Sequence, residues 1–86
     1  MFNFTRAALS LEQAAKFAAS GNEHMTATSL GKAERLILNT QFNFNQLRAL
    51  VSLYDRVLVA APNLEGAIPI RGNCEEMKSL LRQSME

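Results

Sequence analysis

The sequence predicts an all-α fold of four short helices, arranged as two antiparallel hairpins over residues 1–41 and 42–86. Three observations carry this. Apolar residues recur at spacings of three and four along most of the chain, Phe44 to Ala61 above all. Helix-capping and helix-stopping residues punctuate those stretches. Period-two alternation, the mark of a strand, is confined to Phe42-Asn-Phe-Asn45, which also reads as a turn.

The first helix is expected to have its core at Leu11 to Ala19. Ser10-Leu-Glu-Gln13 matches a capping box, and Gly21-Asn22 is a suitable stop. An earlier start near Thr5 is also open, because Arg6-Ala-Ala-Leu9 favours helix. The apolar face is mostly alanine (Ala14, Ala15, Ala18), with Leu11 and Phe17 as its bulky members, so another helix can approach closely.

The second helix is placed at about Ala27 to Thr40, with Thr26 or Thr28 as cap and Leu30, Ala33, Leu36 and Ile37 as its stripe. The third is the clearest. Phe44, Leu47, Val51, Tyr54, Leu58 and Ala61 share one face, and Leu50 and Val57 widen it. Asn43-Phe-Asn-Gln46 caps its start and Pro62 stops it. Apolar residues off the stripe (Leu53, Val59, Ala60) predict a central helix with neighbours on both flanks. Residues 62–72 are expected as a connector lying against the core through Leu64, Ile68 and Ile70. The last helix is expected to open at Asn73, where Asn-Cys-Glu-Glu76 is a further capping box, and to bury Met77, Leu80 and Leu81.

Phe2-Asn-Phe4 with Arg6-Ala7 and Ser10-Leu11 is echoed by Phe42-Asn-Phe44 with Arg48-Ala49 and Ser52-Leu53. Two stacked hairpins with similar faces would produce this echo; so would chance among common helix formers.

Eighty-six residues make one domain, and at that length the core supplies modest stability. Nine Lys/Arg against eight Asp/Glu give a net charge of +1, and no three basic residues are adjacent. That scatter disfavours nucleic acid as the main partner. Cys74 is the only cysteine, which excludes an intramolecular disulfide and fits a reducing compartment, with the cytoplasm as the default. No apolar run reaches the roughly 18 residues of a membrane span, and Glu12 and Lys16 interrupt the N-terminal stretch where a secretory signal would need an apolar centre.

Residues 53–67 (Leu-Tyr-Asp-Arg-Val-Leu-Val-Ala-Ala-Pro-Asn-Leu-Glu-Gly-Ala) resemble the second helix and exit turn of a tetratricopeptide repeat, through Tyr54, Val57 and the closing Pro62. The resemblance extends at most from Gly31 to Ala67. Glu34, Leu38 and Gln41 depart from the family pattern, and so do Pro69 and Gly72 in the segment that follows. It implies stacked antiparallel helix pairs and a groove for partner peptides or helices.

Catalytic chemistry has little to stand on. His24 is the only histidine and Asp55 the only aspartate, and neither lies in a nucleophile motif; His24 is expected in a solvated turn. Cys74, as a first-turn residue, would gain reactivity from the helix N-terminus, but Glu75 and Glu76 oppose that, so a packed or idle residue is the expectation. One histidine and one cysteine do not supply the usual zinc ligand sets. The expectation is no enzyme, no cofactor and no metal.

The predicted function is therefore that of an interaction module: an adaptor, a chaperone or an inhibitor of a larger protein. It would bind a protein partner or a second copy as a homodimer, through an apolar face made of Phe42, Phe44, Leu47, Leu50, Tyr54 and Leu58, acting as groove floor or as core. In each Phe-Asn-Phe pair one ring is expected to staple the helix entry and the other to be free for contact, although burial of both is also open. The alternative is a small DNA-binding regulator. Ser10 to Gly21 sounds like the first helix and turn of a helix-turn-helix, yet Phe17 sits where a small crossing residue belongs. A basic face of Lys32, Arg35, Arg48 and Arg56 would favour that alternative.

Overall fold

The computed structural model describes residues 2–86, Phe2 by its backbone alone. Four helices follow one another: α1 (Phe2–Ala19), α2 (Glu23–Leu38), α3 (Phe44–Ala60) and α4 (Ala67–Ser84), with a 3-10 turn at Ala61–Asn63 between the last two. The fold is all-α, and each hairpin, α1–α2 and α3–α4, packs as expected. The lateral order differs from the chain order. Helix α1 lies between α2 and α3, α3 lies between α1 and α4, and α2 touches α4 only lightly. Helices α2 and α3 do not pack on each other among the described residues.

The alanines of α1 explain its central place. Ala7, Ala14 and Ala18 are fully buried with Leu11 between them, and a side chain of one carbon lets two neighbours reach the helix backbone at once. From α3 come Leu47, Leu50, Val51, Tyr54 and Val57; from α2, Leu30, Ala33 and Ile37; and from α4, Ile70, Cys74, Met77 and Leu81.

The Gly21-Asn22 stop is present, and one short turn both ends α1 and starts α2. The amide of Asn22 donates to the carbonyl of Phe17 (2.9 Å) and that of Gly21 to Ala18 (3.0 Å), a Schellman motif with Gly21 at φ +79°. Asn22 then caps α2 by accepting from the Met25 amide at 3.1 Å. At α3 the predicted capping box is complete: Gln46 N–H donates to Asn43 Oδ1 (2.8 Å) and Asn43 N–H to Gln46 Oε1 (3.0 Å).

Three boundaries correct the sequence reading. Helix α1 starts at Phe2, so Ser10 is a buried mid-helix residue and caps nothing. Helix α2 starts at Glu23. Thr26 and Thr28 lie inside it, their hydroxyls donating back to the Asn22 and His24 carbonyls at 2.7 and 2.9 Å. His24 accordingly sits in the exposed first turn of a helix, not in a loop. Helix α4 starts at Ala67, six residues before Asn73, so the connector shrinks to residues 61–66. Gly66, at φ +69°, reverses the chain ahead of it. Pro69 is the third residue of α4, where its missing N–H has no intrahelical acceptor to lose and its fixed φ suits a helix start. Of the connector's apolar residues, Leu64 and Ile70 are buried as expected, while Ile68 is 85% exposed.

Gly72 falls inside α4, and a Cβ there would meet nothing within 4 Å. Gly72→Ala is expected to stabilise the protein by about 1 kcal/mol through helix propensity, raising the melting temperature by about 4–8 °C in a thermal scan. An unchanged or lower melting temperature would contradict the helical placement of this glycine.

Candidate functional site

A concavity of about 940 Å³ opens where the C-terminal turns of α2 and α4 stand apart over the start of α3. Its floor is Ile37, Leu47, Met77 and Leu81, all buried. Leu38 and Leu80 form its walls at 61% and 42% exposure, and Phe42, half-buried, closes one end. On α4 the lining residues Met77, Leu80, Leu81 and Ser84 fall at i, i+3, i+4 and i+7, a single helical face. The rim is Asn39, Thr40, Gln41, Gln83 and Ser84, polar but without an ionisable side chain.

The wall supplied by residues 39–43 is held from behind by the first turn of α1. Asn3 Nδ2 donates to Thr40 Oγ1 at 2.8 Å, and Phe4 meets Phe42 edge-on, with ring centroids 6.3 Å apart. The groove is thus preorganised by a contact between residues nearly forty positions apart in sequence.

The six residues predicted as a binding face divide. Leu50 and Tyr54 are completely buried and belong to the core, as does Leu47 apart from its edge in the groove floor. Leu58 is half-buried against the core. Phe42 lines the groove. Phe44 stands outside it, 55% exposed, beneath the Arg48 guanidinium at 5.9 Å from its ring centroid. Of the two outcomes left open, the second Phe pair therefore splits into a packed ring and an exposed one. For the first pair, Phe4 is the packed ring and the side chain of Phe2 lies outside the described residues. The sequence reading missed Ile37, Leu38, Leu80 and Leu81 as groove residues. The signal was present: Leu36-Ile37-Leu38 and Leu80-Leu81 are consecutive apolar runs wider than one buried stripe, so part of each must face outward.

The proposed basic face does not converge on one concavity. Lys32 and Arg35 line a hollow between α1 and α2 with Arg6, Arg48 covers Phe44, and Arg56 lines a third concavity with Lys16 and Asp55.

Cys74 lies in the interior of α4, buried, and not in its first turn. Burial pushes its thiol up to about 11, Glu75 adds to the rise, and Lys78 works against it. Because the folded protein holds this proton more tightly than the unfolded chain, Cys74 contributes stability that is fully present below pH 9 and lost as pH climbs through 11. Alkylation by iodoacetamide at pH 8 is expected to be about a hundredfold slower in the folded protein than in denaturant, since about a hundredfold smaller share of the thiol is ionised there, and blocked access slows it further. Equal rates would place the thiol at the surface.

Among the described residues no group of three or more His, Cys, Asp or Glu side chains is placed to hold a metal ion, and no helix is long and apolar enough to cross a membrane. Comparison with protein-family models, with curated proteins and with solved structures returned no match.

Proposed function

We propose that this protein is a non-enzymatic interaction module that receives an amphipathic helix of a protein partner in the groove between the C-terminal turns of α2 and α4. The observation that carries the reading is the pair Leu38 and Leu80. Both are large apolar side chains left substantially in water on facing walls, above a floor that is already apolar. A helix laid between them would bury its own apolar stripe against that floor, the helix-in-groove mode of recognition. The neutral rim fits the same occupant, because Asn, Gln, Thr and Ser offer hydrogen bonds to its polar flanks without requiring a charge there. The tetratricopeptide resemblance implies a client of the same kind, but the reading rests on the groove.

The test is site-specific photocrosslinking with a benzoylphenylalanine residue introduced at Leu38 in the native host. A discrete adduct is expected from Leu38 and none from the same probe at Ile68, which is more exposed but outside the groove. Leu80→Asp, which gives up the covered half of a leucine at a cost of about 1 kcal/mol in stability, is expected to abolish the adduct while the protein stays folded. An adduct of twice the chain mass would identify the occupant as a second copy. Equal labelling from both positions, or an adduct indifferent to Leu80→Asp, would sink the proposal.

A further inference from the structure

Away from that groove, α1 and α2 enclose a smaller hollow of about 340 Å³, lined by Arg6, Ser10, Lys32, Arg35 and Leu36. We propose that it is a binding site for a phosphate dianion, free or as the terminal group of a small phosphorylated molecule.

The hairpin creates the site. The short turn at 20–22 sets the N-terminal half of α1 beside the C-terminal half of α2. Arg6 and Ser10 stand one turn apart on the first helix, and Lys32 and Arg35 stand at i and i+3 on the second. Folding thus brings three like charges from two helices to one hollow. None of the three forms an ion pair among the described residues, where the bridges to Asp55 and Glu75 both belong to Lys78. No carboxylate lines the hollow. Two guanidinium forks and one ammonium supply many donors and no acceptor, and Ser10, nearly buried at the base, adds a hydroxyl. The complement of that set is a small group rich in oxygen and carrying more than one negative charge. A phosphate monoester or free phosphate near pH 7 meets the description, with a charge of about −1.5 to −2 and three strong acceptor oxygens.

Charge distribution favours such a group over a nucleic-acid backbone. Phosphodiesters carry one charge each and are tracked by cations spread along a face. Here three cationic residues line one hollow, while Lys16, Arg48, Arg56 and Lys78 lie at other places on the molecule.

The experiment is a titration of the isotope-labelled protein with inorganic phosphate and then pyrophosphate, at constant ionic strength, followed by amide NMR shifts. Saturable shifts are expected at Ser10 and at residues 32–36, with pyrophosphate binding more tightly. Arg6→Gln, Lys32→Gln and Arg35→Gln are each expected to weaken binding about tenfold, the loss of one charge-assisted contact. Lys16→Gln and Arg56→Gln remove the same charge from the surface elsewhere and should change it less than twofold, on the order of experimental scatter. All five positions are exposed, so the variants should fold. Shifts that do not saturate, or that chloride reproduces at equal ionic strength, would overturn the proposal. So would an equal loss in the two control variants, or tighter binding of a 20-base-pair duplex than of pyrophosphate.

Discussion

Tyr54→Ala is expected to cost about 3–5 kcal/mol, whereas Tyr54→Phe should stabilise the protein. Tyr54 is the largest fully buried side chain, reaching from α3 into the core that all four helices share. Truncation would leave a cavity that neighbours on several helices would have to collapse into. A chain of this length has a total stability of roughly 4–13 kcal/mol, so the alanine variant loses a large share of it and is unfolded at 37 °C if the wild type stands at the lower end of that range. The phenylalanine variant isolates a different quantity. The Tyr54 hydroxyl is buried without a hydrogen-bond partner among the described residues, so its removal deletes an uncompensated desolvation cost and leaves the ring's packing in place. A gain of about 1 kcal/mol is expected, read as a melting temperature higher by about 4–8 °C. Burial also raises the phenol's pKa well above its ordinary value, with Cys74 and Glu34 adding to the rise. Since the folded state retains this proton, stability falls as pH rises above 10, and the phenylalanine variant should lose less of it there. If Tyr54→Phe proved destabilising, the hydroxyl would have a partner in solution.

The second large effect centres on Lys78, whose side chain is only 10% exposed. It is paired with Asp55 at 2.5 Å, across the contact between α3 and α4, and at 4.0 Å with Glu75. Asp55 is half in water, which limits what the pair itself contributes, but the Lys78 side chain that carries the charge is largely covered. Asp55→Asn would leave that buried charge without its close partner and is expected to cost roughly 1–3 kcal/mol. Glu75→Gln, distant and mostly exposed, should cost less than about 0.5 kcal/mol. Lys78→Met, which keeps the aliphatic stem and removes the charge, should be milder than Asp55→Asn, because an apolar replacement leaves nothing buried and charged. Urea denaturation of the three variants decides the ranking. Both Lys78→Met and Asp55→Asn remove the pair, so a Lys78→Met variant less stable than Asp55→Asn would show that the ammonium is not stranded when Asp55 is gone.

These two residues mark what sequence reasoning reaches. Tyr54 was legible as part of the apolar stripe of α3, because its spacing from Leu47, Val51 and Leu58 is set by helical geometry alone. Whether that stripe was core or groove was not legible, since it depends on which helices cover it. The start of α3 was read correctly because Asn43 and Gln46 satisfy each other's backbone amides. The starts of α1, α2 and α4 were misread for one reason: Ser10, Thr26, Thr28 and Asn73 have the composition of caps, yet all four stand inside helices. Thr26 and Thr28 show the alternative open to such a residue, a hydroxyl that donates one turn back along its own helix. Pro69 misled in the same way, because a proline that would break a helix interior is harmless in its first turn. Of the groove lining the sequence reading singled out as binding residues only Phe42 and Leu47, and of the cationic hollow only Lys32 and Arg35. Both arise between segments, from the lateral order of the helices, and no single window of sequence contains either.

The turn through Gly21 and Asn22 bears finally on how quickly this chain can find its fold. The same two residues close one helix and open the next, so the ends of a loop of minimal length are joined at almost no cost in chain entropy. Helices α1 and α2 are neighbours in the chain and are joined by the shortest connection in the fold, residues 20–22. The first hairpin can therefore assemble while the remainder is still searching. Tethering residues 39–43 through Asn3 and Phe4 comes later in that order, since it joins the two ends of the hairpin. The wall of the groove is completed only once the scaffold beneath it has formed.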